Sequence, residues 1–73
     1  MDIYPNQFAN NITISISEGV NAVSIYNSMG ALVRTIEIVN GQAEVSLGDL
    51  SAGIYVVRAQ NESGVTVQRI VKQ

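Results

Sequence analysis

The chain has 73 residues with one Pro, six Gly and no Cys, which is one small domain's worth of sequence and leaves no length for a second. Ile, Val and Thr together number 22 against three Leu, a β-branched surplus that suits pleated strands and excludes a helical bundle. At 47% hydrophobic, 14% charged and net charge −2 the chain folds rather than staying disordered, and it has no basic footprint for nucleic acid or anionic membrane. The absence of Cys leaves the redox compartment open and removes one stabiliser from a domain whose small core needs tight packing or a partner. No window approaches the 18 or so apolar residues of a membrane span, and the start lacks the charged and apolar regions of a signal peptide. Met1 directly before Asp2 and a strand-like Ile3-Tyr4 reads as an added initiator on a segment cut from a longer chain.

After the short Ile3-Tyr4 piece, Ile12, Ile14 and Ile16 alternate with Thr13, Ser15 and Ser17, the period of a strand with one wet face. Glu18-Gly19 turns the chain. The next run, residues 22–28, places Val23 and Ile25 on one face with Ser24 and Tyr26 on the other, and Met29-Gly30 follows as a turn requiring positive φ. Residues 31–39 then carry Leu32, Ile36 and Ile38 on the apolar side opposite Val33, Thr35 and Glu37, with Arg34 an odd apolar-side residue that snorkels at an edge. Asn40-Gly41 is the strongest local signal, a two-residue type I′ turn, and residues 42–47 are the expected hairpin partner with Ala43, Val45 and Leu47 inward.

Turn formers at residues 48–53 surround Leu50, which suits a crossover between two sheets with Leu50 plugging the end of the core. The nearly continuous apolar run at residues 54–59 reads as a central strand covered on both faces. Asn61-Glu62-Ser63-Gly64 closes the last hairpin, and residues 65–71 start with Val65 and Val67 inward, so that Ile70 needs a bulge near Gln68-Arg69. The sum is an all-β chain, a seven-stranded antiparallel two-sheet sandwich, Ig-like in architecture with Greek-key connections, forming one domain over residues 2–73.

Little chemistry is on offer. Without His or Cys the commonest general base, the thiol nucleophile and the usual transition-metal ligands are missing, so the expectation is no enzyme, no metal site and no cofactor. Glu37 and Glu44, as cross-strand neighbours flanking the Asn40 turn, are the nearest thing to a carboxylate pair, and a solvated strand face is the plainer reading. Asn11-Ile12-Thr13 and Asn61-Glu62-Ser63 match the short glycosylation pattern. Tyr4, Phe8, Tyr26 and Tyr55 serve as core or rim packing rather than as exposed binding platforms. Arg58, Arg69 and Lys72 are expected to form a small basic patch near the C-terminus or to protect an edge.

The order of short motifs says more. Ile3-Tyr4-Pro5-Asn6 and Phe8 come first, then Asn11-Ile12-Thr13-Ile14-Ser15-Ile16, Ile25-Tyr26-Asn27 with Gly30, and Leu32-Val33-Arg34-Thr35-Ile36. Leu47, Leu50-Ser51-Ala52-Gly53-Ile54-Tyr55-Val56-Val57-Arg58, Gly64 and finally Arg69-Ile70-Val71-Lys72-Gln73 complete the series. This sequence of motifs resembles the type A C-terminal sorting domain of type IX secretion cargo, over residues 2–73. It departs from that pattern at Gln7, where the family commonly has a second Pro, which leaves the Gln7 amide free to donate.

The resemblance implies a non-catalytic tag at the C-terminus of secreted enzymes and adhesins of Bacteroidetes-type bacteria. It implies passage through the outer membrane by the type IX translocon, removal by a sortase-like signal peptidase just upstream of the domain, and a cargo often joined to anionic lipopolysaccharide. Its partners would be that machinery and the covalently linked upstream cargo domain, with no nucleic acid and no direct membrane insertion, and the destination the cell surface or the medium. Gly53, Tyr55, Gly64, Arg69, Ile70, Val71, Lys72 and Gln73 match the distal signal motifs, and Tyr4, Pro5, Asn6 and Phe8 the N-terminal one. Gly53 and Gly64 also read as turn glycines needed by the fold. Lys72 and Gln73, beyond the last apolar residue, are expected to be read by a receptor and to be removable without loss of the fold. Edge strands can pair into a homodimer. An accessory Ig-like adhesin or carbohydrate-binding module is the rival reading.

Overall fold

A computed structural model describes residues 1–16, 19–61 and 64–73, so the Glu18-Gly19 turn and the centre of the Asn61-Gly64 turn, with the sequon there, lie partly outside the described residues. The strands are β1 (Asp2–Tyr4), β2 (Gln7–Phe8), β3 (Asn11–Ser15), β4 (Ala22–Asn27), β5 (Leu32–Glu37), β6 (Gln42–Ser46), β7 (Gly53–Asn61) and β8 (Gly64–Lys72). They form a three-stranded sheet in the order β1-β3-β6 and a five-stranded sheet in the order β2-β8-β7-β4-β5. Eight described strands replace the seven expected, and the arrangement is not wholly antiparallel, because the added strand β2 pairs in parallel with the end of β8. Two residues flanked by Asn6 and Ala9 show no alternation for a sequence to announce.

Both sheets contribute to one core. Ile3, Ile12, Ile14 and Val45 come from the small sheet, and Phe8, Val23, Ile25, Tyr55, Val57, Ala59 and Ile70 from the large one. Along β3 and β4 the alternation reads through into burial, with Ile12, Ile14, Val23 and Ile25 all at 1% exposure or less. The crossover also stands as expected. Leu47 is fully buried, Leu50 packs against the core, and the Leu50 amide donates to the Leu47 carbonyl at 3.1 Å while the chain passes from β6 in one sheet to β7 in the other.

The two fully described turns, at Met29-Gly30 and Asn40-Gly41, are where expected, but the second does not join paired strands. Asn27 closes the β4–β5 hairpin: its side-chain oxygen accepts from the Met29 and Ala31 amides, each at 3.0 Å, and Gly30 takes φ +85°. Asn40 and Gly41 both have positive φ, 54° and 75°, as a type I′ turn demands. The turn links only the isolated bridge Val39↔Gln42, since β5 pairs with β4 in the large sheet and β6 with β3 in the small one. Glu37 and Glu44 therefore lie opposite Ala22 and Thr13 on different sheets, and the carboxylate pair does not exist.

Three face assignments change with register and cover. In β5 the register shifts opposite Ile25 and Tyr26, whose partners are Arg34 and Leu32, so Val33 is the extra residue of a bulge. Val33 turns onto the core and Leu32 is left 55% exposed. Arg34 sits on the inner face of this edge strand and reaches outward to Asp49, as snorkelling requires. In β8 the ladder with β7 runs unbroken from Gly53↔Lys72 to Asn61↔Gly64, so there is no bulge at Gln68-Arg69. Because Ile70 is opposite buried Tyr55, its alternate neighbours Val65 and Val67 must face out, and they do. Strand β7 is central but covered on one face only, with Ile54 and Arg58 exposed on the other.

Candidate functional site

The N-terminal and C-terminal motifs, separated by some sixty residues of sequence, meet in the parallel pair β2–β8, where Gln7 and Phe8 lie beside Val71 and Lys72. Backbone and side-chain hydrogen bonds join them. The Val71 amide donates to the Asn6 carbonyl at 2.9 Å and the Gln73 amide to the Phe8 carbonyl at 2.8 Å. Side chains repeat the connection: Gln68 Nε2 donates to Asn6 Oδ1 at 3.1 Å, and Gln73 Nε2 to Gln7 Oε1 at 3.0 Å. Gln7 takes part through its side-chain oxygen, which accepts from Gln73. Phe8 is 3% exposed, so this corner is anchored in the core while Tyr4, Pro5 and Asn6 remain exposed around it. The Tyr4–Pro5 peptide is cis.

On the other side of β8, Lys72 is opposite Gly53 and Ile70 is opposite Tyr55. Gly53, Tyr55, Ile70, Val71, Lys72 and Gln73 thus share one end of the large sheet with the N-terminal motif. Gly64 does not: it begins β8, and eight residues of strand rise put it about 27 Å from Lys72. Gly53 and Gly64 have φ of 154° and 140°, which gives both a backbone role in the fold. Sequence reasoning selected these residues but had no signal that would bring Asn6 and Gln7 to the C-terminal strand.

Lys72 differs most from its expectation. It is 8% exposed, on the inner face of β8, and its Nζ donates to the Gln73 carbonyl at 3.3 Å. A Lys at this place packs its methylene stem along the end of the core with only the charged tip reaching out. The basic patch therefore loses Lys72 and keeps Arg58 and Arg69, which lie on the outer face. Asp49 nearby is held below the ordinary carboxylate range, first by its hydrogen bond from Arg34 and in smaller part by the charge of Lys72. The removal of residues 72 and 73 is consequently no trimming of a loose end.

Among the aromatic residues, Tyr55 and Phe8 are core, Tyr26 is half-buried, and Tyr4 is exposed. The Tyr55 hydroxyl donates to the Ser51 carbonyl at 2.5 Å, tying β7 to the crossover before it. Tyr55→Phe keeps the ring and deletes that bond. The expected cost is about 1 kcal/mol, or a fall of about 4–8 °C in the unfolding midpoint of a domain this size. An unchanged midpoint in thermal circular dichroism would remove the hydroxyl from the account of the crossover.

A concavity of about 400 Å³ opens between the Asn27 turn and the crossover, lined by residues including Met29, Asp49, Ser51 and Tyr55. Its one carboxylate is already bound to Arg34, so it gathers no acid–base pair. No curated protein matches the chain. Residues 2–73 match the family model of the secretion system C-terminal sorting domain, and with the whole described fold inside that match, the chain belongs to the family of C-terminal sorting domains of type IX secretion.

Proposed function

We propose that this chain directs a covalently attached upstream cargo through the type IX translocon and is then removed by a sortase-like signal peptidase. The family match over residues 2–73 carries the reading: a type IX sorting signal is recognised by the secretion machinery and sends its cargo across the outer membrane to the cell surface or the medium. Such domains are non-catalytic in general. The match favours this role over that of an adhesin or carbohydrate-binding module.

The recognition region we assign is the end of the large sheet where Tyr4, Pro5, Asn6 and Phe8 meet Arg69, Ile70, Val71, Lys72 and Gln73, supported on Gly53 and Tyr55. Gly64 belongs to the same motif set through its place in the β7–β8 hairpin. Two features support the assignment. Both terminal motifs converge there, and backbone hydrogen bonds hold the ends together, so an intact corner reports a folded domain. Strand edges offer a further mode of pairing, with another copy or with a receptor strand, since β5 and β6 each have one unpaired side.

The test is a periplasm-targeted reporter with residues 2–73 fused behind it in a type IX competent host. The reporter is expected at the cell surface or in the medium, and mass spectrometry of the exported protein is expected to show the domain removed. Intact, folded fusion retained in the periplasm would sink the sorting role. Exported reporter still carrying the domain would sink only the peptidase step.

A further inference from the structure

Among the described residues no layer covers the outer face of the five-stranded sheet, yet it is not a polar face. Across its middle row lie Leu32, Tyr26, Val56 and Arg69, and in the flanking row Thr35, Ser24, Arg58 and Val67. Leu32 and Val67 are 55% and 58% exposed, and Ile54 and Val65 extend the apolar surface on either side. A solvated strand face normally presents polar residues between its inward ones. Here the outward positions of β7 and β8 are Ile54, Val56, Val65, Val67 and Val71, interrupted by Arg58, Gln60 and Arg69.

The two arginines give this face its chemistry. Each projects among apolar neighbours, and among the described residues neither makes an ion pair. Of the described carboxylates, Asp2 and Glu44 belong to the small sheet, Asp49 is bound to Arg34, and Glu37 lies on this face at its rim, on edge strand β5 with β4 between it and Arg58. On a chain of net charge −2, the outer face is thus locally positive and apolar. Its complement is a surface with carboxylates set among apolar side chains.

Size and symmetry argue against a second copy. Four strands and about three rows of side chains cover roughly 400 Å², against about 800 Å² a side in a stable complex. An isologous contact would also set the same cationic patch against itself. An anionic lipid surface calls for clusters of about four to eight cations, where this face has two. A small, cation-bearing apolar patch fits an encounter that forms quickly and is released.

We propose that the outer face of the large sheet, centred on Val56 between Arg58 and Arg69, is a transient docking surface for an acidic, apolar-flanked protein surface of the export machinery. The proposal rests on the sorting role and extends recognition beyond the corner formed by the terminal motifs, with which the face shares Arg69.

The test uses the reporter fusion with the free 73-residue chain co-expressed in the periplasm as a decoy. Wild-type fusion is expected to be exported, and wild-type decoy to compete with it. Charge reversal by Arg58→Glu with Arg69→Glu, and by Arg58→Glu alone, which leaves the Arg69 of the corner in place, is expected to lower export at least about tenfold and to abolish decoy competition, because like charges then face each other. Arg58→Lys with Arg69→Lys restores most of it. Glu44→Lys on the other sheet leaves export unchanged. Circular dichroism melting checks each purified chain; should the charge-reversed one unfold early, Ile54→Thr with Val67→Thr, which keeps β-branched residues in both strands, is expected to show the same loss with a normal melt. Full export and full competition by folded variants would overturn the docking face while leaving the sorting role intact. No export of the wild-type fusion would overturn the sorting role and the proposed partner with it. Arginine-dependent flotation with vesicles of phosphatidylglycerol and phosphatidylethanolamine, or an arginine-dependent dimer in light scattering, would replace the protein partner by a membrane or a second copy.

Discussion

Gly41→Val is expected to lower stability by at least about 3 kcal/mol, from two separate sources. The first is the backbone: at φ +75° a β-branched residue occupies the left-handed region at a cost on the order of 1–3 kcal/mol. The second is space, since a Cβ at Gly41 would stand 2.9 Å from the backbone oxygen of Ile16. That oxygen is backbone rather than a side-chain tip, and Ile16 is held beside the turn by its amide, which donates to the Gly41 carbonyl at 2.8 Å. A domain of this length has roughly 4–11 kcal/mol in all, so the substitution removes a large share and the midpoint should fall by about 12–24 °C. Gly30 separates the two sources. It has φ +85° but nothing within 4 Å of a built Cβ, so Gly30→Ala carries backbone strain alone, and the excess loss in Gly41→Ala measures the clash. Equal losses in the two alanine variants would show that the chain beside Ile16 yields freely.

That turn also shows what a sequence can and cannot convey. Asn40-Gly41 specifies a local conformation, positive φ twice, and the conformation is present. It does not specify that the flanking strands pair with each other, and here they separate into different sheets. Partner choice depends on which apolar faces meet in three dimensions, so alternation located the strands far better than their neighbours. The same distinction explains β8. Val65, Val67 and Ile70 are all apolar, and when a strand carries apolar residues on both faces the pattern no longer fixes its phase. Burial of Ile70 opposite Tyr55 decides it, and the two valines are left to the outer face. Sequence reasoning thus passed over the candidate docking face because its residues had been assigned to the core. For the corner where the termini meet, the motif order identified both participants, but the hydrogen bonds between Asn6, Phe8, Val71 and Gln73 join segments with no local signature of pairing.

Deletion of Lys72 and Gln73 is expected to destabilise the domain by about 2–3 kcal/mol, in contrast to the near-neutral effect that their position beyond Val71 suggests. The Gln73 amide bond to the Phe8 carbonyl is lost, worth about 1 kcal/mol. The stem of Lys72, buried on the inner face, contributes about 1–2 kcal/mol more, roughly 0.8 kcal/mol for each of its methylenes less the rotamer freedom lost on burial. With its parallel partner cut back to Val71, the two-residue strand β2 holds Phe8 less firmly, which adds to both. Thermal unfolding should register a drop of about 8–24 °C. Export by the deleted chain would then fall through unfolding alone, so a second variant must isolate recognition. Gln73→Ala keeps the amide that bonds Phe8 and removes only the exposed side-chain bond to Gln7, a surface change within about 0.5 kcal/mol. If the corner formed by residues 4–8 and 69–73 is what the machinery reads, Gln73→Ala lowers export while melting normally. Normal export by Gln73→Ala would remove that side chain from the recognised surface, and an unchanged melt after the deletion would mean that β2 and Phe8 hold their places without the end of β8.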